Sequence, residues 1–380
     1  MELRTGCNNF ILDRPCKYQK EDISLICDNA CKYFEPAGIR ILILKFAALG
    51  DVLRTTGILK LLSAKYNNSS IYWVTCEKAV PLLDNIKYIK EVIAYNAESL
   101  PGLLLESYDV LINLDLSRDA MSLATLIKSK EKFGFGFDEK MLPVCYTDSA
   151  KEWFILSHND SLKKKNKLTC QEHYLKIAGI SGYGSNKDYP IEIHLTGQET
   201  SFAGKFAAKN KIKPGDLIIG LNTGGGDTWE KKEWPASYTI QLINILCKWN
   251  KSVKILLYGG KKETKRNNGM ISKINKKYRR QVIDTGTGNS LRQFISLANL
   301  SSIIVTSDTL AVHIAAGLGK KIVALFGPTS SSEIEIYDNG IKLAAPLDCT
   351  GCYKRRCAVK PDCMELIKPE TVLASIEKLA

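Results

Sequence analysis

VTSDTLAVHIAAGLGKKIVALFGPT, residues 305–329, reads as a strand, an Asp-Thr turn, a short helix and a second strand. Ile303, Ile304 and Val305 form a short β-branched run of the kind found in strands buried on both faces. The residues after Asp308 keep helical spacing until Gly317 and Gly319 stop them. Backbone N–H groups of Thr309, Leu310 and Ala311 are then expected to leave the first helical turn unpaired. Such donors, together with the positive end of the helix dipole, attract a pyrophosphate. His313 follows Thr309 by four residues and falls on the same helical face. A capped strand-turn-helix also occurs as plain scaffold in any α/β protein, with His313 as a hydrogen-bonded structural residue, so the surroundings must decide.

Working outward, the same rhythm recurs. IRILILKF at 39–46 is an apolar run, AALGD follows it, and a helical pattern occupies 52–66. Strands are expected at 71–75 and 109–114, and a helix at 120–128. A polar, irregular stretch covers 179–213, after which the pattern restarts at Leu217. There the spacing predicts a strand at 217–221, a glycine-rich turn, a helix at 235–249, a strand at 253–258, Gly259-Gly260, a helix at 263–277 and a strand at 281–284. Residues 369–380 read as a terminal helix. The expected architecture is α/β: two Rossmann-like halves facing a cleft. Its parts are a cysteine-rich segment at 1–38, an acceptor domain at 39–198, a donor domain at 199–368 and the helix at 369–380.

The chain has 380 residues, enough for two domains each with a sizeable core, and its 45% hydrophobic and 24% charged content is that of a globular protein. No apolar run is long enough to cross a bilayer and MELRTGCNNFILDRPCKYQK lacks the apolar core of a signal peptide, so the expected compartment is the cytoplasm. A net charge of +13 includes KKKNK at 163–167 and a Lys/Arg-rich stretch at 248–280. Such a surface suits anionic partners, including the headgroups of the inner membrane face, or is simply a solvated face. No RNP-type or zinc-finger pattern favours nucleic acid.

Three glycine-bearing turns are expected at the C-terminal edges of the strands, where open α/β sheets bind ligands. Gly50-Asp51 would present a carboxylate from the first half, either as a base or as a simple helix cap. The turn from Thr223 and Gly224 to Trp234-Pro235 combines glycines that admit close backbone approach with Lys231 and Lys232, either of which would neutralise phosphate charge. The Asp308 turn is the third. No GxGxxG follows the first strand and no Walker lysine pattern exists, which counts against a dinucleotide oxidoreductase and a P-loop kinase.

ILILKFAALGDVLRTTGIL, TWEKKEWP and SDTLAVHIAAGLGKKIVALFGPT, in that order and spacing, resemble glycosyltransferase family 9, the heptosyltransferases of lipopolysaccharide assembly. The resemblance runs from about Ile39 to the C-terminus. It implies a GT-B fold, an inverting mechanism without a catalytic metal, and an ADP-heptose-like donor held by the C-terminal half. It implies that Asp51 is the general base and that Lys232, spaced from Trp229 as in the family, steadies the diphosphate leaving group. Asp308, Thr309 and His313 fall on the family's phosphate-binding element, and Glu263 on a position near the donor's nucleoside. The family's glycine after Asp-Thr is Leu310 here, a departure that bears on the sugar pocket. A glycolipid, a glycan or a protein is the implied acceptor.

The twelve cysteines fall into two sets and four scattered thiols, Cys76, Cys145, Cys170 and Cys247. Cys349, Cys352, Cys357 and Cys363 lie within fifteen residues of a basic, polar loop, and Cys7, Cys16, Cys27 and Cys31 precede the first strand more loosely. Four thiolates suit structural zinc or iron, and a loop poor in apolar residues gains from such a staple. An iron-binding cysteine finger also occurs in autotransporter-modifying relatives of the family. Two other classes of function stay in view: a metal-stapled module binding nucleic acid or another polyanion, and an NAD-dependent oxidoreductase.

Overall fold

A computed structural model describes residues 2–226 and 230–380. Trp229, the landmark of the Lys232 motif, lies outside the described residues.

In the N-terminal half the strands are β1 (Ile39–Leu44), β2 (Ser69–Thr75), β3 (Ile89–Ala94), β4 (Ser107–Asn113), β5 (Lys128–Phe137) and β6 (Pro143–Cys145). They form one sheet in the order β3-β2-β1-β4-β5-β6, parallel except for the antiparallel β5–β6 pair. The C-terminal half contains β7 (Ile218–Asn222), β8 (Lys254–Tyr258), β9 (Val282–Asp284), β10 (Ile303–Ser307), β11 (Lys321–Phe326) and β12 (Gly340–Ala344). These are all parallel, in the order β12-β11-β10-β7-β8-β9. Renumbered within its own half, each sheet has the doubly wound order 3-2-1-4-5-6. Its switch point falls between the first and fourth strands, and there the C-terminal strand ends open a crevice for ligands.

Continuous apolar runs build the central strands. Ile41 to Leu44 in β1 are fully buried, as a strand covered by helices on both faces must be. Their core is continuous with the second half, because Val312, Ile314 and Ala315 of the helix Leu310–Gly317 belong to the same buried cluster. The second half has its own core around Leu221, Leu242, Leu257 and Val323, and the terminal helix Pro369–Leu379 buries Val372 and Ile376 in it.

Several elements depart from the sequence expectation. The pattern at 52–66 is split into the helices Leu49–Thr55 and Leu59–Lys65 by a tight turn at Thr56–Ile58. Gly57 in that turn meets the Tyr189 carbonyl, which a Cβ would approach to 2.8 Å. Within the stretch read as irregular, Gly197–Lys209 is a helix started by a Thr196/Glu199 capping box, a signal present in the sequence as T-x-x-E. The helix expected at 263–277 covers Thr264–Lys273. Among the described residues no helix is long and apolar enough to cross a membrane.

Candidate functional site

Chain leaving β1 turns directly into the helix Leu49–Thr55, which places Asp51 in its first turn. The carboxylate accepts from the Ala48 N–H at 3.3 Å and pairs with Arg54 at 2.6 Å. Burial resists its ionisation, but Arg54, Lys45 and His313 together hold its pKa below the ordinary carboxylate value. A third of the side chain stays exposed. Beneath this turn Lys45 is buried and lies 3.5 Å from Asp115 at the end of β4. Asp115 also accepts from the N–H groups of Phe46, Ala47 and Ser117, which fixes the backbone leading to Asp51. Sequence reading missed Lys45, Arg54 and Asp115. The first two carried signals: a lysine ending an apolar strand, and an arginine three residues beyond the helical Asp51.

On the other half, Thr309 caps the helix Leu310–Gly317 and its hydroxyl accepts from the Ala311 N–H at 3.3 Å. One of the three donors expected to face a phosphate is therefore already taken. The Asn222 amide donates to the hydroxyls of Thr309 and Thr306, tying the end of β7 to the end of β10. One Asp308 oxygen receives both Lys232, at 2.7 Å, and the Thr329 hydroxyl, at 2.7 Å. Burial opposes the charge on Asp308, yet Lys232 and Thr329 keep its pKa below the ordinary value. Lys231, the other cation considered from sequence, pairs instead with Asp362 at 3.1 Å.

Asn222, Gly224, Gly260, Glu263, Thr309 and Leu310 line one cavity of about 290 Å³, with Ala311 beside them. The structure thus brings together Gly224, Glu263, Thr309, Leu310 and Ala311, which lie up to 87 residues apart in sequence. Glu263 accepts from the Gly260 N–H at 2.7 Å, and a Cβ on Gly224 would come within 3.3 Å of its carboxyl carbon. Thr223 is not part of this lining. Its buried hydroxyl bonds the Tyr258 carbonyl and the Asn267 side chain and so belongs to the framework.

The two halves meet at Gly50 and His313, where a Cβ on the glycine would lie 2.8 Å from the imidazole. His313 is 4% exposed, and burial, reinforced by the nearby Arg54 charge, lowers its pKa to about 4. At neutral pH it is an uncharged imidazole beside Asp51, with no hydrogen-bond partner for Nδ1 among the described residues.

Neither cysteine set is assembled as a single-ion site. Among the described residues no three His, Cys, Asp or Glu side chains are close enough to share a metal ion. The C-terminal loop is held by other means: Gly351 N–H to the Gly327 carbonyl, Tyr353 N–H to the Pro328 carbonyl, and the Lys231–Asp362 pair. Part of KKKNK contacts this loop, with Lys163 over the Tyr353 ring and the exposed Lys164 donating to the Asp348 carbonyl.

Two doubly wound lobes, one carrying a carboxylate and the other a cation, a helix N-terminus and a cavity of this kind, define a GT-B glycosyltransferase. Residues 101–362, more than half of the chain, match the model of glycosyltransferase family 9 (heptosyltransferase), and the chain belongs to that family. Lipooligosaccharide heptosyltransferase 2 of Campylobacter jejuni is 27% identical over 219 residues, covering 57% of this chain and 67% of the relative. Among solved structures, a family 9 glycosyltransferase from Veillonella parvula shares the fold with a TM-score of 0.71 at 19% identity, covering 90% of this chain and 97% of its own. The ADP-heptose lipopolysaccharide heptosyltransferase II of E. coli does so with a TM-score of 0.65 at 19% identity, covering 90% and 98%. Family membership displaces the oxidoreductase and polyanion-binding readings.

Proposed function

We infer that this chain transfers a heptose from ADP-heptose to a saccharide acceptor of lipooligosaccharide type, with inversion at the anomeric carbon. The observation carrying this reading is the meeting of the lobes at Gly50 and His313, which sets Asp51 against the donor helix. Asp51 takes the proton of the acceptor hydroxyl as that oxygen attacks the anomeric carbon. The bond from carbon to the diphosphate oxygen breaks, and ADP departs with the electron pair. Its growing charge is met by the Lys232 ammonium and the N-terminus of the helix Leu310–Gly317. Glu263 and Gly224 line the cavity assigned to the nucleoside, and Leu310 stands where a side chain reshapes the sugar end.

A depressed pKa keeps Asp51 ionised at neutral pH, as a base must be, while Arg54 restrains its basicity. Acceptor and donor duties are assigned to residues 39–198 and 199–368, with the terminal helix joining the donor lobe's core. The test is transfer from ADP-heptose by Asp51→Asn. Turnover is expected to fall by about 10²–10⁴-fold with ADP affinity retained, and full turnover by the variant would remove Asp51 from the base's role.

A further inference from the structure

Residues 2–38 have little regular structure of their own. They contain the five-residue helix Lys17–Glu21 and a single bridge between Cys7 and Pro36. Leu12 and Ile23 are 93% and 92% exposed, so apolar burial supplies little of the order in this segment. Yet it is docked on the sheet. Asn8 accepts from the Ser70 hydroxyl at 2.9 Å and the Lys90 ammonium at 2.5 Å.

All four cysteines of the segment face one cavity. Cys7, Cys16, Cys27 and Cys31, with Phe10 and Ile26 among the apolar walls, enclose about 210 Å³. That is many times the ~10–15 Å³ needed by one water-sized occupant. A lone zinc would require four sulfurs each ~2.3 Å from one centre, and no three of these thiols stand that close. Sulfurs spread around a larger apolar space match a polynuclear centre instead. The Glu35 N–H points at the Cys7 sulfur, 3.4 Å away, a contact that stabilises a thiolate and tunes a metal–sulfur group.

We propose that Cys7, Cys16, Cys27 and Cys31 ligate a [4Fe–4S] cluster. Each thiol gives up its proton and its sulfur binds one iron of the cluster, in the C-x8-C-x10-C-x3-C spacing of this segment. The site lies beside Ser70, near the start of β2, whereas the transfer site lies at the strands' C-terminal ends. The cluster is therefore a staple for the segment, remote from the sugar chemistry.

The full chain, purified without oxygen, should contain about four iron and four acid-labile sulfide per polypeptide, with visible absorption that bleaches on reduction. Alkylation followed by mass spectrometry should find Cys7, Cys16, Cys27 and Cys31 protected until the cluster is oxidised away. This maps the ligands with no substitution that might disturb folding. Cys16→Ser and Cys27→Ser should lose iron and sulfide together, while Cys349→Ser with Cys352→Ser keeps both. Zinc without sulfide, no metal at all, or loss of the iron with the Cys349/Cys352 variant would each overturn the proposal.

Discussion

Each lobe carries a lysine–aspartate pair across its topological switch point, joining the chain after its first strand to the end of its fourth. In the acceptor lobe this is Lys45–Asp115, at 3.5 Å with both side chains 7% exposed; in the donor lobe it is Lys232–Asp308, at 2.7 Å with 15% and 12% exposed. The surroundings differ more than the pairs do. Three backbone N–H groups saturate Asp115, so its lysine serves to anchor the turn that presents Asp51. Asp308 has one hydroxyl partner besides its lysine, and the residues just after it line the cavity. One ion pair is sealed into the scaffold; the other stands next to residues that line a cavity, which is why the proposed function gives its cation the anionic leaving group.

Breaking the sealed pair should cost the most stability. Lys45→Met leaves Asp115 as a buried charge without its cation and is expected to lower folding stability by about 3–5 kcal/mol, read by denaturant unfolding. The open pair should respond differently. Lys232→Met removes a charge-assisted contact of ~1.5–3 kcal/mol, so ADP affinity should fall by roughly 10–100-fold in a titration. An unchanged ADP affinity would mean that the two pairs do the same structural job.

The contact between lobes offers a finer test. Gly50→Ala inserts a methyl against His313 and should impose about 1–3 kcal/mol of strain, seen as lower kcat/KM. His313→Ala in the same chain makes room for the methyl and should relieve that strain, a coupling that a double-mutant cycle measures.

The smallest effect is expected at a carboxylate outside both pairs. Glu199 receives two hydrogen bonds from Arg292, and chiefly for that reason its pKa is lowered to about 2. A depressed pKa stabilises the fold above the ordinary glutamate value of ~4.3 and loses that effect as pH falls through about 2. Glu199→Gln should lower the melting temperature at neutral pH without changing turnover, and the deficit should vanish in acid.

Much of the fold was legible because buried parallel strands announce themselves as apolar runs: IRILILKF, LIIGLN and SSIIVTS all became central strands. The strand β5 was hidden because KSKEK, its exposed opening, reads as polar surface. Asp51, Lys232 and Asp308 were singled out through motif order, whereas Asp115 had no local signal; its role exists only because β4 lies beside β1. Thr223 shows the converse. A polar residue in a glycine-rich turn looked like a ligand, and its hydroxyl is instead engaged by Tyr258 and Asn267 from the neighbouring strand and helix.

By itself the sequence determined the two-lobed α/β plan, the family and the residues at the strand ends, because hydrophobic period and turn chemistry are local properties. Only the tertiary structure decided which of two adjacent lysines meets Asp308, that His313 is neutral against Asp51, and that four scattered cysteines face one cavity. Those outcomes depend on distance, burial and the competition of partners brought together from far along the chain, none of which a linear pattern records.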